Sequence, residues 1–364
     1  MTDGLFANCS VRYPSIEHYF LNCTNTSRPC ELLHDLVIVS DLLKIFDYYI
    51  STLLFSLAGI INVYFLSISL PLFLRMNNEA KKRYVFVVSR CISSISAAST
   101  LLFLRCVLFV YFPPDTANYF LYASVVVADD VSFYSLQGAY IGMAVLLYIG
   151  VIHPVYFSTR FSLRKIYILA ASNWILAFAI SLPTGLLQTA SYVNGPISCD
   201  AQVCGPIVSL LNFIIISIAF LLTILILSFV LIGLTFHIHR AKRLGSYTSS
   251  ETLRLARIRL VWTLSAITII ALAEGIPSSF EIGLKADNIL STCRNFYQAD
   301  RLISVTLFTS LDSIVWGVVL LIDPLANIIF DKAISSEVVK QINLSKSYFA
   351  TFLAFFFRSH SSSA

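Results

Sequence analysis

Seven apolar runs, at roughly 49–74, 84–112, 119–151, 166–189, 206–236, 258–284 and 302–330, follow one another along the chain with polar breaks between them. Each is long enough to cross the hydrocarbon core of a bilayer, which takes about 20 residues of helix, whereas a barrel strand needs only about 10. Lipid offers no water to backbone amides and carbonyls, so segments of this length must satisfy them internally as helices. Composition agrees, with 57% of residues hydrophobic, 12% charged and a mean hydropathy of +0.79. Water-soluble domains carry about 25% charged residues. The second, third and fifth runs exceed what the bilayer requires, which implies tilt or projection into water.

Basic residues set the expected orientation. The first and second runs are joined by "RMNNEAKKR", the third and fourth by "STRFSLRK", and the fifth and sixth by "HIHRAKRLGSYTSSETLRLARIR". The alternate breaks contain "FPPDTAN" and "SYVNGPISCDAQVC", which have no basic residue, and the mixed "KADNILSTCRNFYQADR". The expected fold is therefore an all-α membrane protein, a seven-transmembrane helix bundle with its N-terminus outside and its C-terminus in the cytoplasm. Residues 1–48 would form an extracellular tail, 49–330 the bundle and 331–364 a cytoplasmic tail.

The tail supports this orientation. "NCS", "NCT" and "NTS" make Asn8, Asn22 and Asn25 acceptors for glycosylation, while "NLS" at Asn343 falls on the cytoplasmic side and should stay unmodified. No charged n-region with an apolar h-region precedes the three sites, so the first helix is expected to act as its own insertion signal. Cys9, Cys23, Cys30, Cys199, Cys204 and Cys293 all fall on the outer side, where disulfides form, and Cys106 lies near the outer end of the second run. Cys199 or Cys204 is expected to pair with a tail cysteine or with Cys106, and sequence does not decide which. Cys91 reads as a small packing residue.

The third run ends in "GMAVLLYIGVIHPVYF", residues 142–157. Pro154 has no backbone N–H to give, so the helix ends at the His153-Pro154 pair as the chain turns into the second inner loop. This segment resembles the corresponding one of rhodopsin-like G protein-coupled receptors, with Tyr148, His153 and Pro154 in place and Leu146 and Leu147 where that family carries an acid and an arginine. Asn62 in the first run, Trp174 and Pro183 in the fourth, Pro277 of "EGIPSSF" in the sixth and "DPLANIIF" in the seventh extend the resemblance. Gly275 stands where the family has an aromatic residue, and Asp323, Pro324 and Asn327 vary its Asn-Pro-x-x-Tyr. The second run lacks the family's Asp, and no cysteine lies near Tyr122. Taken together, the chain is most similar to nematode serpentine chemoreceptors, with class XA as the candidate subfamily.

That resemblance implies a chemosensory receptor in the plasma membrane of sensory neuron endings, with a small-molecule ligand, a heterotrimeric G protein and membrane lipid as partners. No cofactor, metal, catalytic residue or nucleic acid is expected. Pro183, Pro277 and Pro324 would kink their helices. Tyr148, Pro154, Arg254 and Arg257 are the candidate G protein contacts. Basic residues at these positions would also anchor lipid headgroups.

Ionisable residues within a bilayer are expensive and default to functional or pairing roles. Asp129, Asp130, Arg105 and Glu281 are the candidate ligand-binding residues. Asp129 lies eighteen residues before Leu147, about five turns toward the outer side. Its position matches the acid that pairs with an ammonium group in amine-binding members of the resembled family. Arg105 at similar depth offers a structural alternative, an Arg105–Asp129 ion pair with no ligand. Arg90 and Asp323 are expected to form a second, purely structural ion pair.

Other seven-helix classes fit less well. A transporter would carry paired broken helices in two repeated halves, and no convincing internal repeat is present. A membrane hydrolase needs clustered His and carboxylates, to which only His237 and His239 come close. The seventh run has no lysine for a retinal Schiff base, and the inverted topology of insect-type odorant channels conflicts with the loop charges.

Overall fold

The computed structural model describes Ile38, residues 41–108, 118–190, 195–197 and 204–243, helical positions between 254 and 272, and residues 299–331, 333–341 and 343. Regular structure among them is helical throughout. A π-helical stretch, Leu43–Ile50, leads into α1 (Ser51–Arg75), and α2 (Asn78–Phe103) runs on into a π-helical turn at Leu104–Leu108. α3 (Tyr119–Ile152), a two-turn linker helix (Pro154–Arg160), α4 (Leu163–Ala190) and α5 (Cys204–Arg243) follow. Beyond them come α6 (Leu260–Ile269), α7 (Ala299–Phe330) and α8 (Ala333–Gln341), with α8 turned 94° from the end of α7.

Among the described residues, α1 to α5 are long and apolar enough to cross a membrane, and the bent α7–α8 pair makes a sixth candidate. These elements coincide with the first five and the seventh of the apolar runs. The sixth run is described only in part, through α6 and its flanking helical positions.

Polar side chains mark where the helices begin and end. Asn77 Oδ1 accepts from the Ala80 amide at 2.9 Å and Asn118 Oδ1 from the Phe120 amide at 2.9 Å, so each satisfies an otherwise unpaired donor at the start of α2 and α3. At the far end of α3, His153 leaves helical geometry at φ −126° and ψ 62°, and Pro154 starts the linker helix at a position where no N–H is needed. The linker helix folds back so that Phe157 is buried in one apolar cluster with Leu146 and Phe86, close to Gly150 of α3. Asp331 Oδ1 accepts from the Ala333 and Ile334 amides and starts α8.

α3 is the centre of the bundle, packed on α2, α4 and α5. Small residues let the axes approach closely, as is usual between membrane helices. Gly138 receives the Asn173 side chain of α4 where a Cβ would stand, and Asn173 Nδ2 donates to Ser135 O at 2.8 Å. Hydroxyls of Ser93 and Ser135 meet at 2.7 Å between α2 and α3, and Trp174 Nε1 of α4 donates to Ser89 Oγ of α2 at 3.0 Å. Away from these seams α4 and α5 are apolar all round, with Ile175 69% and Phe236 73% exposed. A helix with that surface has lipid rather than water for its outer solvent.

Candidate functional site

Toward the Asn118 end of α3, six helices (α1 to α5 and α7) and the π-helical turn after α2 surround a cavity of about 210 Å³. That is smaller than the roughly 300 Å³ at which drug-sized pockets begin, so it suits a small molecule. Asp129 and Asp130 of α3 line it, with Phe133 one turn further along. Asp129 Oδ1 accepts from Thr100 Oγ1 of α2 at 3.3 Å, and Asp130 Oδ2 from Thr184 Oγ1 of α4 at 3.2 Å. The two neighbouring carboxylates therefore bond to different helices. Arg105, Tyr134 of α3, Gln188 of α4, Asn212 of α5 and Ser313 and Trp316 of α7 add to the polar and aromatic lining. Asn212 Oδ1 is buried and makes no hydrogen bond among the described residues.

Arg105 behaves differently from the sequence expectation of an Arg105–Asp129 pair. Its guanidinium lies 5.2 Å over the Phe55 ring and Nη2 donates to Ser313 Oγ of α7 at 3.0 Å. No ion pair with Asp129 occurs among the described residues, although both side chains face one cavity. The reason is local: α2 changes to π-helical winding at Leu104–Leu108, which re-aims Arg105 relative to an ideal α-helix.

Nearer the His153 end of α3 lies a second polar centre. Arg90 is only 2% exposed. Its Nη1 lies 2.9 Å from Asp323 Oδ1, Nη2 is 3.4 Å from Asn327 Oδ1, and the guanidinium sits 4.8 Å over the Tyr140 ring. Asn62 Nδ2 donates to Ala58 O and to Leu320 O, each at 2.9 Å, and Cys91 Sγ donates to Asn62 O at 3.2 Å. Helices α1, α2, α3 and α7 are thereby tied through polar atoms at one depth.

The remaining sequence candidates are distributed as follows. Leu146, in the place of the family's acid, is 1% exposed and belongs to the apolar core beneath the linker helix. Tyr148 packs on Phe229 of α5, ring centroids 5.9 Å apart, and fills the space beside Gly233. Pro154, Arg254 and Arg257 are exposed. Pro183 lies inside α4 and Pro324 inside α7. Cys91 and Cys106 carry free thiols. His239 Nδ1 lies 3.0 Å from Thr235 O, and no cluster of metal-ligating side chains occurs among the described residues. Glu281, Pro277, Cys199, Asn8, Asn22 and Asn25 and the side chain of Cys204 lie outside the described residues.

Sequence reasoning missed Ser313, Trp316 and Asn212 as cavity residues and Tyr140 as the platform under Arg90. Phe133 could have been found, since it lies four residues from Asp129 on the same face of one helix. The others come from different helices, and nothing in their own segments distinguishes them.

The fold and the two polar centres define an all-helical membrane protein with a small internal cavity between its helices. No protein-family model matches the chain. Its relatives in Caenorhabditis elegans include B0244.5, named as a candidate G-protein coupled receptor, which is 38% identical over 341 residues, 93% of this chain and 92% of the relative. B0244.4, named in the same way, is 38% identical over 290 residues, 79% of this chain and 92% of the relative. The receptor-like protein B0244.6 is 34% identical over 342 residues, 94% and 91% of the two chains. The chain belongs to this nematode family of G-protein coupled receptors, in line with the serpentine-receptor resemblance of its motifs.

Proposed function

We propose that this protein is a chemosensory receptor that binds a small molecule in the cavity beside Asp129 and signals through a heterotrimeric G protein. In this reading seven helices cross the plasma membrane of a sensory neuron ending, the N-terminus is outside and the cavity opens toward the outer side. The observation that carries the ligand role is the cavity itself. It combines the aromatic walls of Phe133 and Trp316 with acceptors at Asp129, Asp130 and Asn212 Oδ1, the last of which has no partner among the described residues. Acceptors buried without donors are costly, and a ligand that brings N–H or O–H groups offsets that cost.

The G protein surface is assigned to the opposite end, where Tyr148 and Pro154 lie at the exit of α3 and Arg254 and Arg257 on the approach to α6. The exposed linker helix beside them adds Val155, 73% exposed. Expression in a heterologous cell with a G protein readout, against a panel of volatile and water-soluble compounds, tests the proposal. A ligand response abolished by a G protein toxin supports it. Solute uptake without any such response would instead establish a transporter.

A further inference from the structure

We propose that the contact between α2 and α3 is a slip plane, along which α3 and α4 shift as one body when the Thr100–Asp129 bridge at its cavity end is released. Three side-chain bridges cross this contact in register. Thr100 Oγ1 donates to Asp129 Oδ1 at 3.3 Å, Ser132 Oγ donates to Ser96 Oγ at 2.8 Å, and the hydroxyls of Ser93 and Ser135 meet at 2.7 Å. The helices run antiparallel here, and the bridges span about two turns, roughly 10 Å of helix.

Four of these hydroxyls have a second acceptor on their own helix. Thr100 Oγ1 also lies 2.9 Å from Ser96 O, Ser132 Oγ 2.7 Å from Ala128 O, Ser93 Oγ 3.0 Å from Ser89 O and Ser135 Oγ 3.1 Å from Ser132 O. A hydroxyl has one proton, so the bridge and the backbone compete for it. When a bridge breaks, the proton turns to the helix carbonyl and no buried donor is stranded. Ser96, itself helical, has the same recourse to the carbonyl one turn earlier. The penalty that usually fixes a buried polar contact, an unmet partner, is thereby removed. Asp129 is the exception. Its carboxylate loses the Thr100 donor, but it lines the cavity, where an N–H or O–H of a ligand takes that place.

The contact of α3 with α4 is built differently. Gly138 admits the Asn173 side chain, and Gly185 approaches Val127 so closely that a Cβ would stand 3.1 Å from its backbone nitrogen and Cα. Interdigitated packing resists sliding, so α3 and α4 move together. Away from the cavity, the Phe86 ring of α2 fills the place of a Cβ at Gly142, and Trp174 Nε1 of α4 donates to Ser89 Oγ of α2. These contacts fix the far end of the plane, and the α3–α4 pair swings about Phe86, sliding most beside the cavity. The link from this motion to signalling rests on the receptor reading above; the slip plane itself does not.

The test uses the full chain in lipid nanodiscs, with spin labels on non-canonical amino acids replacing the exposed Phe103 and Phe120, across α2 and α3, or Phe120 and Leu182, across α3 and α4. Pulsed dipolar spectroscopy reads each separation. Thr100→Val, which removes the hydroxyl and keeps the shape, should displace or broaden the 103–120 distribution and leave 120–182 unchanged. Ser96→Ala combined with Ser132→Ala should do the same, and both variants should keep an unfolding midpoint near wild type. The oxidised pair Ser96→Cys with Ser132→Cys should restore a narrow 103–120 distribution even when Thr100→Val is present. In cells, Thr100→Val should raise ligand-independent G protein signal several-fold, and the oxidised cysteine pair should suppress that rise. An unchanged 103–120 distribution in either hydroxyl variant would overturn the slip plane, as would an equal change in 120–182. A fall in midpoint as large as that of Gly142→Ala would overturn it too, because the bridges would then carry the packing. A displaced 103–120 distribution with a flat G protein signal would support the slip plane and overturn its part in signalling.

Discussion

Asn62 Nδ2 of α1 donates at 2.9 Å to Leu320 O of α7, the carbonyl that Pro324 leaves without its helical partner. The same nitrogen donates to Ala58 O, so one amide ties its own helix to the turn of α7 that Pro324 interrupts. Asn62→Ala leaves the buried Leu320 carbonyl unmatched, a loss of about 1–3 kcal/mol. The apparent unfolding midpoint in detergent should fall for Asn62→Ala. A midpoint equal to wild type would remove Asn62 from this role.

Gly142 of α3 faces the Phe86 ring of α2, which already occupies the place of a Cβ. Both lie in a packed interior, where an added methyl group costs about 1–3 kcal/mol through forced displacement. Gly142→Ala should reduce surface expression and thermal stability, and adding Phe86→Leu should recover part of both. Failure of the second change to recover anything would show that the cost arises elsewhere.

Asp129 is bonded to Thr100, while Arg105 is bonded to Ser313. Replacing the carboxylate by an amide of the same shape therefore breaks no ion pair. Asp129→Asn should reach the cell surface at wild-type levels and lose its response to a cationic agonist by about tenfold or more, the loss of roughly 1.4 kcal/mol of binding. An undiminished response at normal expression would take Asp129 out of the ligand site.

Glycosylation reports the proposed topology directly. Replacing Asn8, Asn22 and Asn25 together by Gln should abolish the mobility shift produced by a glycosidase, and replacing Asn343 should change nothing. A shift that survives the triple replacement would reject the assignment of the N-terminal tail to the outside.

The helical membrane character was legible in the sequence because apolar length alone decides it: no other backbone arrangement of some 20 residues satisfies its amides in lipid. The exit of α3 at His153 and Pro154 was equally local, since proline acts through its own missing N–H. Asp129, Asp130 and Arg105 stood out as charges in apolar surroundings. Their partners did not, because Thr100, Thr184 and Ser313 are ordinary residues until three helices bring them within 3.3 Å. The Arg105–Asp129 expectation failed for a related reason. Depth along a helix can be counted from sequence, but the π-helical turn that rotates Arg105 toward α7 is a product of packing. Tertiary structure alone decided that Asn62, forty residues and more from any other polar-centre helix except α2, fills the gap made by Pro324. Hydropathy is a property of segments and survives in the sequence; which polar atom meets which depends on how the helices are rotated against one another, and that is set only when their surfaces interlock.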